Sequence, residues 1–358
     1  MAYSTIEDPS AHFQATTYTG AGAGQTVTND GNSDLKPDFL WIKRRNAGYA
    51  HFVVDSNRNI SYAQNSSNPP YLETDSSATE NSNQNWISGV GTDGFTIGIN
   101  EQNLSNTSGT YVAWQWKANG GTTSSNTDGD ITTTVQVNST AGFSIITDSP
   151  GNNTARTIGH GLGAKPDFII RRARNRVENW NVYHSAFEST LPGGWWGLDT
   201  DAAYNDGATS GFTSTSTTTF GVGTDYSVNG NYNYVTYAWK EVQGYSKFGK
   251  YPGNSDTDGP FVYCGFKPAF ILLKKTSSGD GWFMLDSARD VGNFSTDKPL
   301  RADTTGYEGS TTKGLDILSN GFKLRSNDGA YNGSGKTYIY MAFAEQPLVA
   351  NGIPTTAR

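Results

Sequence analysis

Residues 35–45 read LKPDFLWIKRR, a turn that runs directly into an apolar strand. Proline holds its own φ near about −65° and pushes the preceding residue toward extended geometry, so Lys36-Pro37 ends a loop and launches a strand. In Phe39–Ile42 both alternating sets are apolar, Phe39 and Trp41 against Leu40 and Ile42, the pattern of a strand covered on two sides. The phrase returns as AKPDFIIRRAR at 164–174 and as FKPAFILLKKT at 266–276. A repeat of this kind decides the architecture before any single element is assigned.

Other phrases recur at matched distances. Fifteen residues after each of Lys36, Lys165 and Lys267 stands a further strand: HFVVDS from His51, WNVYHS from Trp180 and WFMLDS from Trp282. A Gly-Phe step follows at Gly94-Phe95, Gly211-Phe212 and Gly321-Phe322, and a glycine-bearing turn precedes each Lys-Pro at Gly20, Gly151 and Gly253. Each copy closes on an aromatic strand: YVAWQWK from Tyr111, YVTYAWK from Tyr234 and YIYMAFA from Tyr338. Alternate side chains of a strand point to opposite faces. One closing-strand face therefore carries Val112, Trp114 and Trp116, then Val235, Tyr237 and Trp239, then Ile339, Met341 and Phe343, and is expected to be core. The other, with Tyr111, Ala113 and Gln115 in the first copy, is expected to be half exposed.

The expected fold class is all-β: three tandem β-sandwich, jelly-roll-like repeats of about 105–115 residues. They are placed at 13–119, 131–243 and 244–347, with an N-terminal arm at 1–12, a Gly- and Ser-rich linker at 120–130 and a C-terminal tail at 348–358. The absence of a linker between the last two predicts that they form the stiffer pair. Composition agrees, since aromatic residues make up 13% of the 358 residues and charged ones only 16%. No apolar pattern keeps a helical period.

The net charge is −7, and the longest basic run is Lys43–Arg45. A phosphate backbone needs a concentrated basic face, so nucleic acid is excluded as a partner. The basic pairs Arg44-Arg45, Arg171-Arg172 and Lys274-Lys275 read as solvated strand ends. Cys264 is the only cysteine, so no intrachain disulfide can form. It reads as a buried apolar residue. The opening MAYSTIEDPSAHF has neither the basic start nor the apolar stretch of a secretory leader, and no apolar run could insert in a membrane. Folding in a cytoplasm is expected.

The segments YTGAGAGQTVTNDGNSDLKPDFLWIKRRN (18–46), TDGFTIG (92–98), YVAWQWK and GYSKFGKYPGNSDTDGPFVYCGFKPAFILLKKT (244–276) resemble a repeated β-rich domain of virion structural, tail-fibre-like proteins from marine tailed bacteriophages, those of cyanobacteria especially. The likeness spans Tyr18 to Gln346. It implies a place on a phage particle, with other virion proteins as partners, and brings no catalytic residues onto this chain. The chain lacks a collagen-like run or a long heptad, so a compact decoration or a fibre tip is expected rather than a shaft. Broad aromatic sheet surfaces suggest a homo-oligomer, a trimer among the options.

Catalytic chemistry was sought in paired carboxylates. Glu73/Asp75 and Asp199/Asp201 stand at i and i+2, as in sandwich glucanases, and align with one another and with Asp303. Their Thr- and Asp-rich setting favours turn capping. The matched Asp55, His184 and Asp286, each followed by serine, lie in different repeats and cannot converge as a triad. Short acidic pieces at Asp128–Asp130 and Asp256–Gly259 lack a complete calcium loop, and the four histidines show no metal-ligand spacing. No metal, cofactor or catalytic residue is expected. Aromatics among amide-rich loops remain as candidate contacts for a host-surface glycan: Trp195, Trp196, Trp86 and Tyr232. PGGWWGLD is the strongest of these, since two adjacent indoles cannot both enter one core from a regular strand. The leading reading is a non-enzymatic virion protein displaying variable loops on rigid sandwiches. A carbohydrate-binding adhesin and a polysaccharide-degrading enzyme are the alternatives.

Overall fold

A computed structural model of the chain describes residues 4–58, 70–82, 86–190, 192–206, 209–277, 279–289, 298–309, 314–347, 349–350 and 353–354. Most of the tail expected at 348–358 lies outside these residues. Nearly all regular structure among the described residues is antiparallel strand, and helix is confined to short turns such as Tyr226–Asn229 and Gly329–Asn332. No helix among the described residues is long and apolar enough to cross a membrane.

Each repeated stretch supplies a principal sheet and a three-stranded cover sheet. The first principal sheet orders its strands as Phe13–Thr19, Thr110–Trp116, Phe39–Arg44 and Phe52–Asp55. In the third the order is Ser246–Pro252, Thr337–Pro347, Phe266–Lys275, Trp282–Asp286 and Leu300–Arg301. The second has the same centre and grows to eight strands, because Thr133–Asn138 and Ser124–Asn126 add to one edge while Gly194–Gly197 and Asn205–Asp206 extend the other. The expected linker is thus partly sheet. The central register is the same three times: Phe39 faces Trp116, Phe168 faces Trp239 and Phe270 faces Phe343.

Both faces of the central strands of every principal sheet are buried, and the reason is a division of the alternating side chains between two kinds of core. Leu40, Ile42, Tyr111 and Ala113 turn inward against the first cover sheet with Phe95 and Ile97. Corresponding private cores form around Phe220 and around Phe322. Phe39, Trp41, Trp114 and Trp116 turn the other way, into one cluster shared with Phe143, Phe168, Tyr237 and Trp239 of the second stretch and Phe270, Met341 and Phe343 of the third. There Trp116 lies 6.0 Å from Trp239 and 5.5 Å from Phe343, ring centre to ring centre. Three sheets meet face to face, and the cover sheets stand outside them.

This arrangement corrects three expectations. The second closing-strand face is not half exposed, since Tyr111, Ala113 and Gln115 are buried under the cover sheet. The basic strand ends are largely not solvated: Arg44, Arg171, Arg172 and Lys274 are buried, as is Lys43 beside them, while Arg45 and Lys275 are partly exposed. The aromatic sheet faces expected to drive self-association are consumed inside the chain. The Gly-Phe alignment also shifts by one strand in the second stretch. By pairing, the equivalent of Phe95 and Phe322 is Phe220, not Phe212. Gly94 (φ +94°) admits no side chain, because a Cβ there would sit 2.0 Å from the carbonyl oxygen of Val27.

Truncating a ring at the junction removes buried volume that three sheets share. Trp239→Ala is expected to cost about 3–5 kcal/mol. Urea unfolding followed by far-UV circular dichroism and by indole fluorescence should still give one coincident transition; separate transitions for the three stretches would contradict the shared core.

Candidate functional site

The residues singled out for chemistry collect at the three seams between principal sheets, and they do so cyclically. The position fifteen residues after each lysine carries a ring N–H: His51, Trp180 and Trp282. Trp180 Nε1 donates to Glu73 O at 2.8 Å, and Trp282 Nε1 donates to Gly197 O at 2.7 Å. His51 Nε2 lies 2.9 Å from Arg301 O, and because Trp41 Nε1 donates to His51 Nδ1 at 2.8 Å, the proton sits on Nε2. Burial, with Lys43 second, holds the His51 pKa well below the ordinary histidine value, consistent with a neutral ring. Stretch two thus bonds to one, three to two and one to three, which closes a ring.

Two residues beyond each accepting carbonyl stands an aspartate that caps its own stretch. Asp75 Oδ1 accepts from His51 N at 2.9 Å, Asp199 Oδ1 from Trp180 N at 3.1 Å and Asp303 Oδ1 from Trp282 N at 2.8 Å. The acceptors serve the N–H at the start of a distant strand rather than of their own turn, and the alignment shifts by two: Asp75 matches Asp199, so Glu73 matches Gly197 rather than a second acid. Desolvation raises the pKa of Asp75 and Glu73 and pushes the Asp199 carboxyl up to about 6. A carboxyl so placed is chemically suited to proton transfer. Yet the cavities beside Phe13, Asp130 and Tyr307 are lined by none of these acids.

The buried cations complete the seams. Lys43 Nζ donates to Tyr49 O at 2.7 Å and across to Thr305 O at 3.1 Å; Lys274 Nζ donates to Asp280 O at 2.7 Å and across to Asp201 O at 3.3 Å. Arg172 reaches Glu178 O and, across its seam, Ala78 O. Burial lowers both Lys43 and Lys274 to about 8. Asp55, His184 and Asp286 also cross the seams. Tyr237 Oη donates to Asp55 Oδ2 at 2.6 Å, and Trp114 Nε1 donates to Asp286 Oδ2 at 2.9 Å. At the third seam the facing residue is Met341, which has no proton to give. There the acid is replaced by His184, whose Nδ1 accepts from Ala186 N and whose Nε2 lies 3.0 Å from Tyr340 O.

The outer parts of the seams change in step. Arg58 joins Asp55 to Glu80, which also takes Arg174 at 2.8 Å; Arg289 joins Asp286 to Glu308, which also takes Arg45 at 2.8 Å. At the third seam Phe187, Tyr204 and Thr276 stand in those positions, and the Phe187 and Tyr204 rings pack 5.6 Å apart. Two seams are ionic and one is aromatic.

The four expected glycan contacts do not form one surface. Trp196 is 1% exposed and packs against Tyr204 at 4.6 Å, so it has no free face to offer. Trp195 is partly buried against the second private core and Trp86 against the first, where it stacks on Tyr71. Tyr232 is half-buried beneath Arg176. Adjacent indoles do both enter cores, because the strand Gly194–Gly197 has a core on each side. No group of three His, Cys, Asp or Glu able to hold a metal occurs among the described residues. Cys264 is buried, which pushes its thiol pKa up.

Two measurements probe these seams. His184→Asp leaves a buried carboxylate facing a carbonyl and should cost about 3–5 kcal/mol; adding Met341→Tyr restores a donor, so a double-mutant cycle should show favourable coupling of roughly 0.5–3 kcal/mol. Zero or opposite coupling would contradict the seam correspondence. The raised Asp199 pKa means that its contribution to stability is complete below about pH 4 and is lost as the pH rises through about 6. Asp199→Asn should therefore flatten the stability profile over that interval in urea titrations, and a pH-independent difference from the parent would count against it.

No curated protein matches this chain. A family model, described as a domain of unknown function (DUF7483), matches residues 8–347 and so spans all three principal sheets together. The chain belongs to that family.

Proposed function

We propose that the chain is a non-enzymatic structural protein of a bacteriophage particle, tail-fibre-like or capsid-decorating, which displays variable loops on rigid sandwiches and contacts other virion proteins. The observation that carries this reading is the closed ring of sheets joined by one aromatic core. Such a body holds its cover sheets and loops in fixed relation, as display requires, because each principal sheet is trapped between two cores and cannot slide without breaking both. Asp75 and Asp199, the best-placed acids, are committed to backbone N–H groups, which favours a scaffold over hydrolysis. The phrase-level likeness to phage structural proteins supplies the setting.

Self-association remains part of the proposal, but through surfaces other than the aromatic sheet faces. Particles purified on a density gradient from infected cells should contain the chain in stoichiometric amounts by mass spectrometry, and its density should appear on the head, tail or fibre by cryo-electron microscopy. Its absence from washed particles would refute the assignment.

A further inference from the structure

The three cover sheets are built alike, which makes each a control for the others. Their edge strands align through one buried residue apiece: Val27 faces Phe95, Ile158 faces Phe220 and Val262 faces Phe322. The positions on either side of that residue point away from the private core. They are Thr26 and Thr28 in the first sheet, Thr157 and Gly159 in the second, where Asp130 and Asn126 lie over them, and Phe261 and Tyr263 in the third. Phe261 is 45% exposed and Tyr263 52%. Single exposed apolar residues are ordinary on protein surfaces, whereas two on one strand face, where the sister sheets carry small residues, form a patch.

The surroundings limit what the patch can bind. Lys323 stands opposite Phe261 and bonds Asp258 at 2.9 Å, while Arg325 pairs with Asp316 and reaches Asp258 at 3.5 Å. Two cations and two anions neutralise one another, which offers no net field to a charged partner. Nucleic-acid bases also stack on rings, but they require a basic groove. The area limits it further. Phe and Tyr present roughly 150–250 Å² each, so about half exposure of both leaves on the order of 200 Å². A stable protein interface needs about 800 Å² on each side. Residues at i and i+2 on a strand are about 6.7 Å apart, which lets successive rings of one oligosaccharide each meet an aromatic face. The flanking carboxylates and cationic groups can accept from and donate to hydroxyls in the plane of those rings.

We propose that the outer face of the strand Phe261–Tyr263 is a stacking platform for a neutral glycan. This does not depend on where the chain sits in a particle, so purified protein suffices to test it. The probe is an array of neutral and acidic oligosaccharides, read with the parent chain, with Phe261→Ala/Tyr263→Ala and with Thr26→Ala/Thr157→Ala. Phe261, Tyr263 and Thr26 are exposed and Thr157 is half-buried beside Asp130, so unchanged melting curves would confirm that both double variants fold. Neutral oligosaccharides should be bound by the parent, at least tenfold more weakly by the aromatic double variant, and undiminished by the threonine control. The proposal is overturned if the parent binds no neutral sugar, if it binds acidic ones alone, or if the aromatic double variant binds as the parent does. A changed sedimentation coefficient in that variant alone would also overturn it, since the patch would then be a contact between chains.

Discussion

The constraint on which the structure depends is that the central strands of every principal sheet are buried on both faces. A sheet with one face in water needs only one apolar set of side chains, and its partner set can be polar. Here the second set is aromatic, with Trp116, Trp239 and Phe343 at matched register, and it has to be covered by something. In the fold the other two sheets supply that cover. Three principal sheets therefore close on one another within a single chain, as separate subunits would in a trimer.

Closure brings polar backbone into a dry junction, and the seam bonds are the answer to that problem. Buried N–H and C=O groups must find partners. The ring N–H groups of Trp180, Trp282 and His51 take carbonyls from the neighbouring stretch, and the buried cations take others. The replacements at the third seam follow the same rule. Where Met341 removes the donor, an acid would be left uncompensated, and a neutral histidine that donates to a carbonyl stands instead. The loss of one charged partner is matched by the loss of the others, so Arg, Glu and Arg give way together to Phe187, Tyr204 and Thr276. Half of an ionic network left in a dry seam would be worse than none.

The all-β class and the identity of the central strands were legible from sequence because both follow from local properties. A Lys-Pro turn and an alternation of period two keep their meaning in any context, whereas the backbone N–H that each aspartate accepts from lies at the start of a distant strand. What could not be read was the destination of a face. LKPDFLWIKRR announces two apolar faces but does not say that one will meet a cover sheet and the other two foreign sheets. For the same reason Arg44, Arg172 and Lys274 looked like solvated ends, and the neighbouring Trp195 and Trp196 looked like a surface pair.

By itself, then, the sequence determined the elements and their threefold recurrence, since side-chain alternation and backbone stereochemistry act within a few residues. Only the tertiary structure decided which faces are buried, which of the matched acids share a seam, and that Phe261 and Tyr263 remain in water while their counterparts are small. Those outcomes depend on contacts between residues as far apart as Trp114 and Asp286, and no local pattern encodes a partner that arrives from the far end of the chain.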